Sequence, residues 1–355
     1  WHQIWTDTVS DYPRLASSVS HVYGKPRAFT ESFAAFRPQP DITIARYVMN
    51  EQLVRGVNLF ETMYYSSTSV PGRGGPAPFM RDPAYPALLH YIRRMSYVMA
   101  MGRPAAKVAL YLPSDSMWLG DADADKEFVA TEQMLSERQI DFDIVGVDAL
   151  DTDLKAGPGT LDTMSGNRYR TVILPAPEVI SEAALERLRT FAKGGGKVLF
   201  LGKTPTLISG RTILHARAAT PADFSWAIVE TAAELPATPT PPAEPPASPP
   251  GPQVVAPAIE QAVDQAVGPR VVKLDAPDTH LMVMTRRLKD AGVYLFFNEG
   301  AEACDHEVTL KATGKVKLWD PVTGEVTPLA STGGHGSVTV KLELKPYATE
   351  LLMVQ

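Results

Sequence analysis

The fold of the N-terminal part of this chain follows from one stretch, His21-Val-Tyr-Gly-Lys-Pro-Arg-Ala-Phe-Thr-Glu-Ser-Phe-Ala-Ala-Phe36. Apolar residues at roughly helical spacing lead into it and predict an amphipathic helix that ends near Gly24. The apolar pair Ala28-Phe29 begins a short strand, and the single carboxylate of Glu31 follows at the end of that strand. Because (β/α) barrels carry functional groups just past the C-terminal ends of their strands, the pattern predicts a barrel segment with Glu31 on its functional face.

The same order of elements recurs in Gly56-Val-Asn-Leu-Phe-Glu-Thr-Met-Tyr-Tyr-Ser-Ser67, where Glu61 ends the strand. A helix predicted over residues 42–55, with Asp41 as its N-cap, precedes this strand, and a loop and a long helix follow it. We therefore expect residues 1–104 to form the C-terminal part of a (β/α)8 catalytic barrel. Since about 100 residues cannot close a barrel of about 250, we expect its earlier strands to lie upstream or on another chain.

A second domain is predicted over residues 105–234, where strands of continuous apolar character alternate with helices. Buried strands of this kind with intervening helices are typical of a parallel, doubly wound sheet, so the fold class is α/β and this domain is flavodoxin-like. Residues 235–258 are too rich in proline for helix or sheet and predict an extended linker. Short strands separated by turn residues then predict an antiparallel β-sandwich over residues 259–355.

Composition excludes several functional classes. The net charge is -6, from 34 basic and 40 acidic residues that are interspersed along the chain, so no basic stripe predicts a nucleic-acid partner. No apolar run approaches the length of about 18 residues that predicts a membrane span. The 7 histidines show no paired zinc-ligand spacing, and the acidic residues near Asp121 lack the glycine that a calcium loop needs. The sequence therefore predicts no metal site of its own.

Several of these motifs are similar to those of one enzyme family, the α-L-rhamnosidases of glycoside hydrolase family 106. The resemblance rests on the stretch that begins at His21 and on six further motifs. They are Gly56-Val-Asn-Leu-Phe-Glu61, Phe142-Asp-Ile-Val145, Asp148-Ala-Leu150, Gly166-Asn-Arg-Tyr-Arg-Thr-Val-Ile-Leu-Pro175, Val293-Tyr-Leu-Phe-Phe-Asn298 and Leu318-Trp-Asp-Pro321. It implies a carbohydrate substrate, removal of terminal α-linked L-rhamnose from glycosides or polysaccharides with inversion, a pair of carboxylates, and a calcium ion near the site. By the same resemblance Glu31 is the candidate general base, and it would be the nucleophile if the enzyme retained configuration instead. The acid is expected on an earlier strand, in an N-terminal part of the same enzyme that this sequence does not include.

A wider set of side chains is expected to contact the sugar, although each has an ordinary structural alternative. The expected substrate-binding residues are Glu61, His21, Tyr23, Tyr64 and Trp118. Glu61 would bind hydroxyl groups, or it would pair with a neighbouring cation. His21 and Tyr23 would line the cleft, or they would pack the turn between helix and strand. Tyr64 and Trp118 would stack on a sugar ring, or they would serve as buried anchors.

Two other functional interpretations remain open from the sequence. One is a β-galactosidase-like hydrolase, whose barrel is likewise followed by an α/β domain and a small β domain. The other is a non-catalytic carbohydrate-binding fragment, since no partner carboxylic acid is evident. The substrate class suggests a secreted or periplasmic protein.

Overall fold

Two short parallel strands and the helices around them form the N-terminal part of the protein. The computed structural model describes residues 12–33, 40–62, 77–210, 212–231 and 257–355. The elements of this part are α1 (Pro13–Val22), β1 (Phe29–Ser32), α2 (Ile42–Val54), β2 (Leu59–Thr62), α3 (Pro78–Arg81) and α4 (Tyr85–Ala100). The predicted N-cap of α2 is confirmed, because the Asp41 carboxylate accepts hydrogen bonds from the backbone N–H groups of Thr43 and Ile44, both at 2.9 Å. Both strands lie one to two residues later in the chain than predicted.

A five-stranded parallel sheet forms the middle of the molecule. Its strands, in spatial order, are β14 (Ile228–Glu230), β11 (Lys197–Leu201), β9 (Thr171–Pro175), β4 (Val108–Tyr111) and β5 (Phe142–Val145). Helix α7 (Glu182–Lys193) packs on one face of this sheet, and α6 (Ala122–Glu137) packs on the other. Both faces are therefore covered, as the continuous apolar character of the strands predicts. Smaller elements complete this part of the chain: β3 (Arg103–Pro104), α5 (Ser114–Trp118), β6 (Lys155–Gly157), β7 (Thr160–Asp162), β8 (Arg168–Tyr169), β10 (Val179–Ser181), β12 (Leu207–Ser209) and β13 (Arg217–Ala218).

A helix that the sequence analysis did not predict corrects the boundary placed at residue 259. Helix α8 (Pro257–Val267) packs on the same face of the parallel sheet as α6, with Ile259, Val263 and Ala266 in the shared core. The Thr171 hydroxyl on β9 donates to the carbonyl of Ala266 at 2.8 Å. Residues 257–267 therefore complete the α/β layer instead of opening the β domain.

Two antiparallel sheets form the C-terminal part. The first contains β15 (Val272–Leu274), β18 (Cys304–Leu310), β22 (Ser337–Leu344) and β21 (Ser331–Gly334). The second contains β20 (Val326–Pro328), β19 (Val316–Trp319), β23 (Thr349–Val354), β17 (Gly292–Asn298) and β16 (Leu281–Arg287), with β3 at its edge. Their facing side chains, among them Phe296, Val308 and Leu342, share one apolar core.

The second of these sheets connects the parts of the molecule. Its other face packs against α2 and α4 through residues such as Met284, Leu295 and Phe297. Its strand β16 also receives polar contacts from the α/β layer: the side chain of Gln139 donates to the carbonyl of Leu281 at 2.7 Å. Among the described residues, no helix combines the length and the apolar character needed to cross a bilayer.

Candidate active site on the two-stranded sheet

Glu31 and Glu61 lie side by side. Strands β1 and β2 pair in parallel, and the register places Glu31 opposite Glu61. Neighbouring strands lie about 4.8 Å apart, and register partners project from the same face of a sheet. Both glutamates are exposed on that face. The structure therefore brings together two carboxylates that the sequence separates by a complete helix.

The face that carries the carboxylates is open, whereas the opposite face is packed. Phe29 and Leu59 precede the two glutamates on the open face, and they are 50% and 45% exposed. On the packed face, the buried hydroxyl of Ser32 donates to the side-chain carbonyl of Gln52 on α2 at 3.1 Å. The carboxylates are therefore accessible on the face opposite the one that packs on α2.

Asn58 holds the start of both strands in register. This side chain is 2% exposed, and its oxygen accepts a hydrogen bond from the backbone N–H of Ala28 at 3.0 Å. Its Nδ2 donates to the carbonyls of Pro26 and Met99, each at 3.1 Å. Arg27 adds bonds to the carbonyls of Asn58 and Ser96 at 3.1 and 3.0 Å. The alignment of Glu31 with Glu61 therefore depends on polar contacts at the far end of the strands.

The chain leaves β1 through a strained residue. Phe33 adopts a left-handed backbone conformation with φ of 72°, which is costly for a side chain of this size. Its ring is buried and packs on Phe79 with 5.1 Å between the ring centroids. Strained backbone held in place by packing is common beside functional sites. This strain lies two residues after Glu31.

A groove of about 850 Å³ follows the edge of β2 next to the carboxylate face. Leu59 belongs to both surfaces, and the other lining residues come mainly from α4, including Ile92, Arg93 and Tyr97. Trp319 of β19 closes one side of the groove. In the described part of the chain, β2 has β1 as its only hydrogen-bonded neighbour, so this edge is available to a further strand.

The structure gives His21 and Tyr23 partners in the α/β layer. His21 is buried, with its Nδ1 2.6 Å from an oxygen of Asp143, and the other oxygen of Asp143 accepts from the Tyr169 hydroxyl at 2.8 Å. The Tyr23 hydroxyl donates to Asp153 at 2.8 Å, and burial together with this carboxylate raises the pKa of Tyr23. Both side chains thus join α1 to the α/β layer.

Of the two aromatic residues predicted to stack on a sugar, the structure describes only Trp118. Trp118 ends α5 on the α/β layer and is 83% exposed, so it is not the buried anchor that was its alternative role. Its ring is available to a ligand, but it lies on a different layer from Glu31. Tyr64 lies outside the described residues.

Sequence reasoning missed Asn58, Arg27 and Gln52. One local signal for Asn58 was available, because a polar residue stands directly before the apolar strand, where its side chain can satisfy strand-end backbone groups. Arg27 and Gln52 carry no such signal, since their partners lie on other elements.

Several solved structures of glycoside hydrolases are similar in fold to this chain. A rhamnosidase from Novosphingobium sp. PP1Y superposes with a TM-score of 0.66 at 20% identity, over 97% of this chain and 32% of that one. A β-galactosidase from Bacillus circulans sp. alkalophilus gives 0.62 at 13% identity, over 97% and 58%. An α-L-fucosidase isoenzyme 2 from Paenibacillus thiaminolyticus gives 0.56 at 15%, over 99% and 64%. At such identities these similarities describe the fold alone.

The family model described as alpha-L-rhamnosidase, glycoside hydrolase family 106, matches residues 4–332. The chain belongs to this family. It spans about a third of the length of the Novosphingobium rhamnosidase (32%). None of the curated proteins matches it.

Proposed function

We propose that this chain contributes the late part of the catalytic barrel of a glycoside hydrolase that releases terminal α-L-rhamnose with inversion. The observation that carries the proposal is the pair of exposed glutamates, Glu31 and Glu61, in register at the C-terminal ends of parallel strands. Membership in the rhamnosidase family supports the substrate class. We further infer that β1 and β2 are strands of a (β/α)8 barrel and that the two C-terminal sheets form a β-sandwich.

Glu31 acts as the general base in this proposal. It accepts a proton from a water molecule as that water attacks the anomeric carbon, while a carboxylic acid protonates the departing glycosidic oxygen. One C–O bond breaks, a new C–O bond forms on the opposite face of the sugar, and the water proton ends on Glu31. An inverting pair needs about 6.5–9.5 Å between carboxyl groups to admit this water.

Glu61 is not that acid in our proposal. Adjacent strands are about 4.8 Å apart, which is less than the separation of an inverting pair. Glu61 is therefore assigned to the sugar hydroxyl groups, and the acid is assigned to another strand of the barrel. In this proposal the exposed ring of Trp118 remains a candidate for stacking on the sugar. His21 and Tyr23 are not assigned to the sugar, because their polar atoms contact Asp143 and Asp153.

The family resemblance also implies calcium, and the described residues here do not make a complete site. Calcium takes six to eight oxygen ligands, and the open face of β1 and β2 offers the carboxylates of Glu31 and Glu61. In the described part of the chain, three close-set ligand side chains meet only in the C-terminal β-sheets. No step of the mechanism is therefore assigned to a calcium ion.

Hydrolysis of an aryl α-L-rhamnoside by the whole protein tests the proposal. Glu31→Gln should lower kcat by about 10²–10⁴-fold, since this is the usual contribution of a general base. Glu61→Gln should raise KM more than it lowers kcat, because its role is binding. Glu186→Gln, at an exposed glutamate on α7 of the α/β layer, is the matched control and should be silent.

Proton NMR of the first-formed sugar decides the stereochemistry. The β anomer from an α-rhamnoside supports inversion, and the α anomer would instead make Glu31 and Glu61 a retaining pair, for which about 5–5.5 Å is expected. The similarity of fold to a β-galactosidase keeps that activity as a second candidate. Turnover of an aryl β-galactoside without turnover of the rhamnoside would establish it. Rhamnose binding by calorimetry without turnover, unaffected by Glu31→Gln, would establish a binding fragment.

We also propose that the protein acts outside the cytoplasm, in the periplasm or the medium. The proposed polysaccharide substrate supports this location, because large polar polymers do not cross a bilayer. Recovery of the activity in the cytoplasmic fraction of the producing cell would contradict it.

A further inference from the structure

Three side chains of types that can bind a metal ion lie close together in the C-terminal part of the chain. Asp278, Cys304 and His306 each offer one ligand atom, and these atoms all lie within 4.8 Å of one another. The mechanism proposed above uses none of them. The histidine spacing gave no indication of this group, because only one histidine contributes and its partners are a thiol and a carboxylate.

The fold explains why these side chains meet. Cys304 and His306 are two residues apart on β18, so they project from the same face of the sheet. Strand β18 is hydrogen-bonded on both sides, to β15 and β22, which fixes its backbone. Asp278 lies in the connection that leaves β15 and crosses to β16 in the other sheet. One of its oxygens accepts from the backbone N–H of His280 at 2.8 Å, which orients the carboxylate.

The separation of the imidazole and the carboxylate suits a zinc ion. His306 Nε2 and the second oxygen of Asp278 are 3.0 Å apart. Two ligands bound to tetrahedral zinc at about 2.0–2.1 Å stand about 3.3 Å from each other, so a movement of a few tenths of an ångström admits the ion. The Cys304 sulfur lies within 4.8 Å of the other two ligand atoms and takes a longer bond of about 2.3 Å to zinc, so it has to approach by at most about an ångström.

A zinc-bound histidine usually donates the N–H of its other ring nitrogen to a supporting residue. Asp275 lies where such a residue would be for His306. It lies 3.0 Å from His306 Nδ1. A proton on Nδ1 that is donated to Asp275 leaves the Nε2 lone pair free for the metal. In the described part of the chain, no lysine or arginine pairs with Asp275 or Asp278, so their negative charge is balanced only by histidine.

We propose that Asp278, Cys304 and His306 bind a zinc ion, with water in the fourth position and Asp275 orienting the imidazole. A mixed set of sulfur, nitrogen and oxygen ligands favours zinc over calcium or magnesium, which prefer oxygen alone. Binding releases the thiol proton to solvent, because the thiolate is the ligand. The ion would join the connection between β15 and β16 to strand β18, which is a structural role.

Metal titration of the chelator-treated 355-residue chain tests this site. We expect one zinc ion per chain, bound with sub-micromolar affinity in competition with a chromophoric chelator, and a higher melting temperature with zinc. Cobalt(II) should give a thiolate-to-metal absorption band in the near ultraviolet. Because the chain contains a single cysteine, this band can arise only from Cys304.

Variants separate this site from adventitious binding. Cys304→Ser should abolish the cobalt band and weaken zinc binding by about 100-fold or more, and Asp275→Asn should weaken it by about tenfold, as for other supporting residues. Asp305→Asn is the matched control, since Asp305 lies on the same strand but faces Lys341 and solvent. The far-ultraviolet circular dichroism of each variant verifies folding.

Absence of the band, no zinc binding in the competition titration, or affinity unchanged in Cys304→Ser would overturn the proposal. In those cases His306 would simply bridge the two aspartates. If Cys304→Ser does not fold, Asp278→Asn replaces it, because this substitution removes a ligand from a connecting loop. A zinc affinity that is unchanged in Asp278→Asn would then overturn the proposal. Loss of rhamnosidase activity is not among the readouts, so the result is independent of the proposed function.

Discussion

At the scale of single residues, Asn58 supports the alignment of Glu31 with Glu61. Its amide satisfies one backbone donor and two carbonyls in a buried position. Asn58→Ala leaves these groups without partners, and each buried unsatisfied group costs about 1–3 kcal/mol. We therefore expect a loss of at least about 3 kcal/mol of stability in urea unfolding, together with a lower kcat. Gln265→Ala, at an exposed amide on α8, is the control and should change neither.

Glu350 should make the stability of the β-sheets depend on pH. Burial and the neighbouring Glu343 raise its pKa from 4.5 to about 7. Since the unfolded state ionises first as the pH rises, this residue lowers the stability between about pH 4.5 and pH 7. The effect should be roughly 1–2 kcal/mol, after a discount for the partial exposure of this side chain.

Urea unfolding at about pH 5 and pH 7.5, in the presence of a chelator, measures the effect of Glu350. Glu350→Gln should remove most of the difference in stability between the two pH values. Glu325→Gln should leave it unchanged. A Glu350→Gln variant with the same pH dependence as the native chain would contradict the assignment.

Residue-scale features were predictable where the cause is local. The N-cap Asp41 follows from a side chain that bonds the backbone two and three residues ahead, and the structure confirms it. The pairing of Glu31 with Glu61 was not predictable, because it depends on the register between strands from different parts of the sequence. His21 illustrates the same limit, since its partner Asp143 belongs to another domain.

At the scale of elements, α8 was missed by the sequence analysis, which placed its residues at the start of the β-sandwich. Ile259, Val263 and Ala266 recur at helical spacing, a local signal that could have predicted the helix. Its packing on the parallel sheet could not be predicted, because the proline-rich segment separates it in sequence from the strands that it covers.

Truncation of Ile259 tests the packing of α8. This side chain is 1% exposed, so Ile259→Ala should cost about 2–5 kcal/mol, the usual cost of such a cavity. Ile213→Ala, at a position that is 41% exposed, should cost well under half as much. Equal effects in guanidinium unfolding would mean that α8 does not complete the core of the α/β layer.

At the scale of the whole molecule, one buried ionic group connects all three parts. Arg14 of α1 donates to Asp141 and to the carbonyl of Phe142 at 3.1 and 3.0 Å. The other oxygen of Asp141 accepts from the backbone and hydroxyl of Thr285 on β16 at 2.9 and 2.6 Å. This group joins the N-terminal segment, the α/β layer and the antiparallel sheet that contains β16, so we expect these parts to unfold together.

Arg14→Met should therefore weaken the whole molecule and not only α1. The substitution preserves much of the packing volume but leaves the carboxylate of Asp141 buried without its cation, which typically costs about 3–5 kcal/mol. Burial already raises the pKa of Asp141, and Arg14 opposes that rise. Without Arg14 the folded-state pKa of Asp141 rises further above the unfolded value, so the loss of stability should grow as the pH increases through that range.

Arg189→Met is the control. It removes an ion pair with Glu186 whose side chains are 27% and 58% exposed, and it should cost less than about 1 kcal/mol at any pH. Calorimetry of Arg14→Met should show one transition at a lower temperature, whereas an unchanged main transition with a small early one would show that the three parts fold independently.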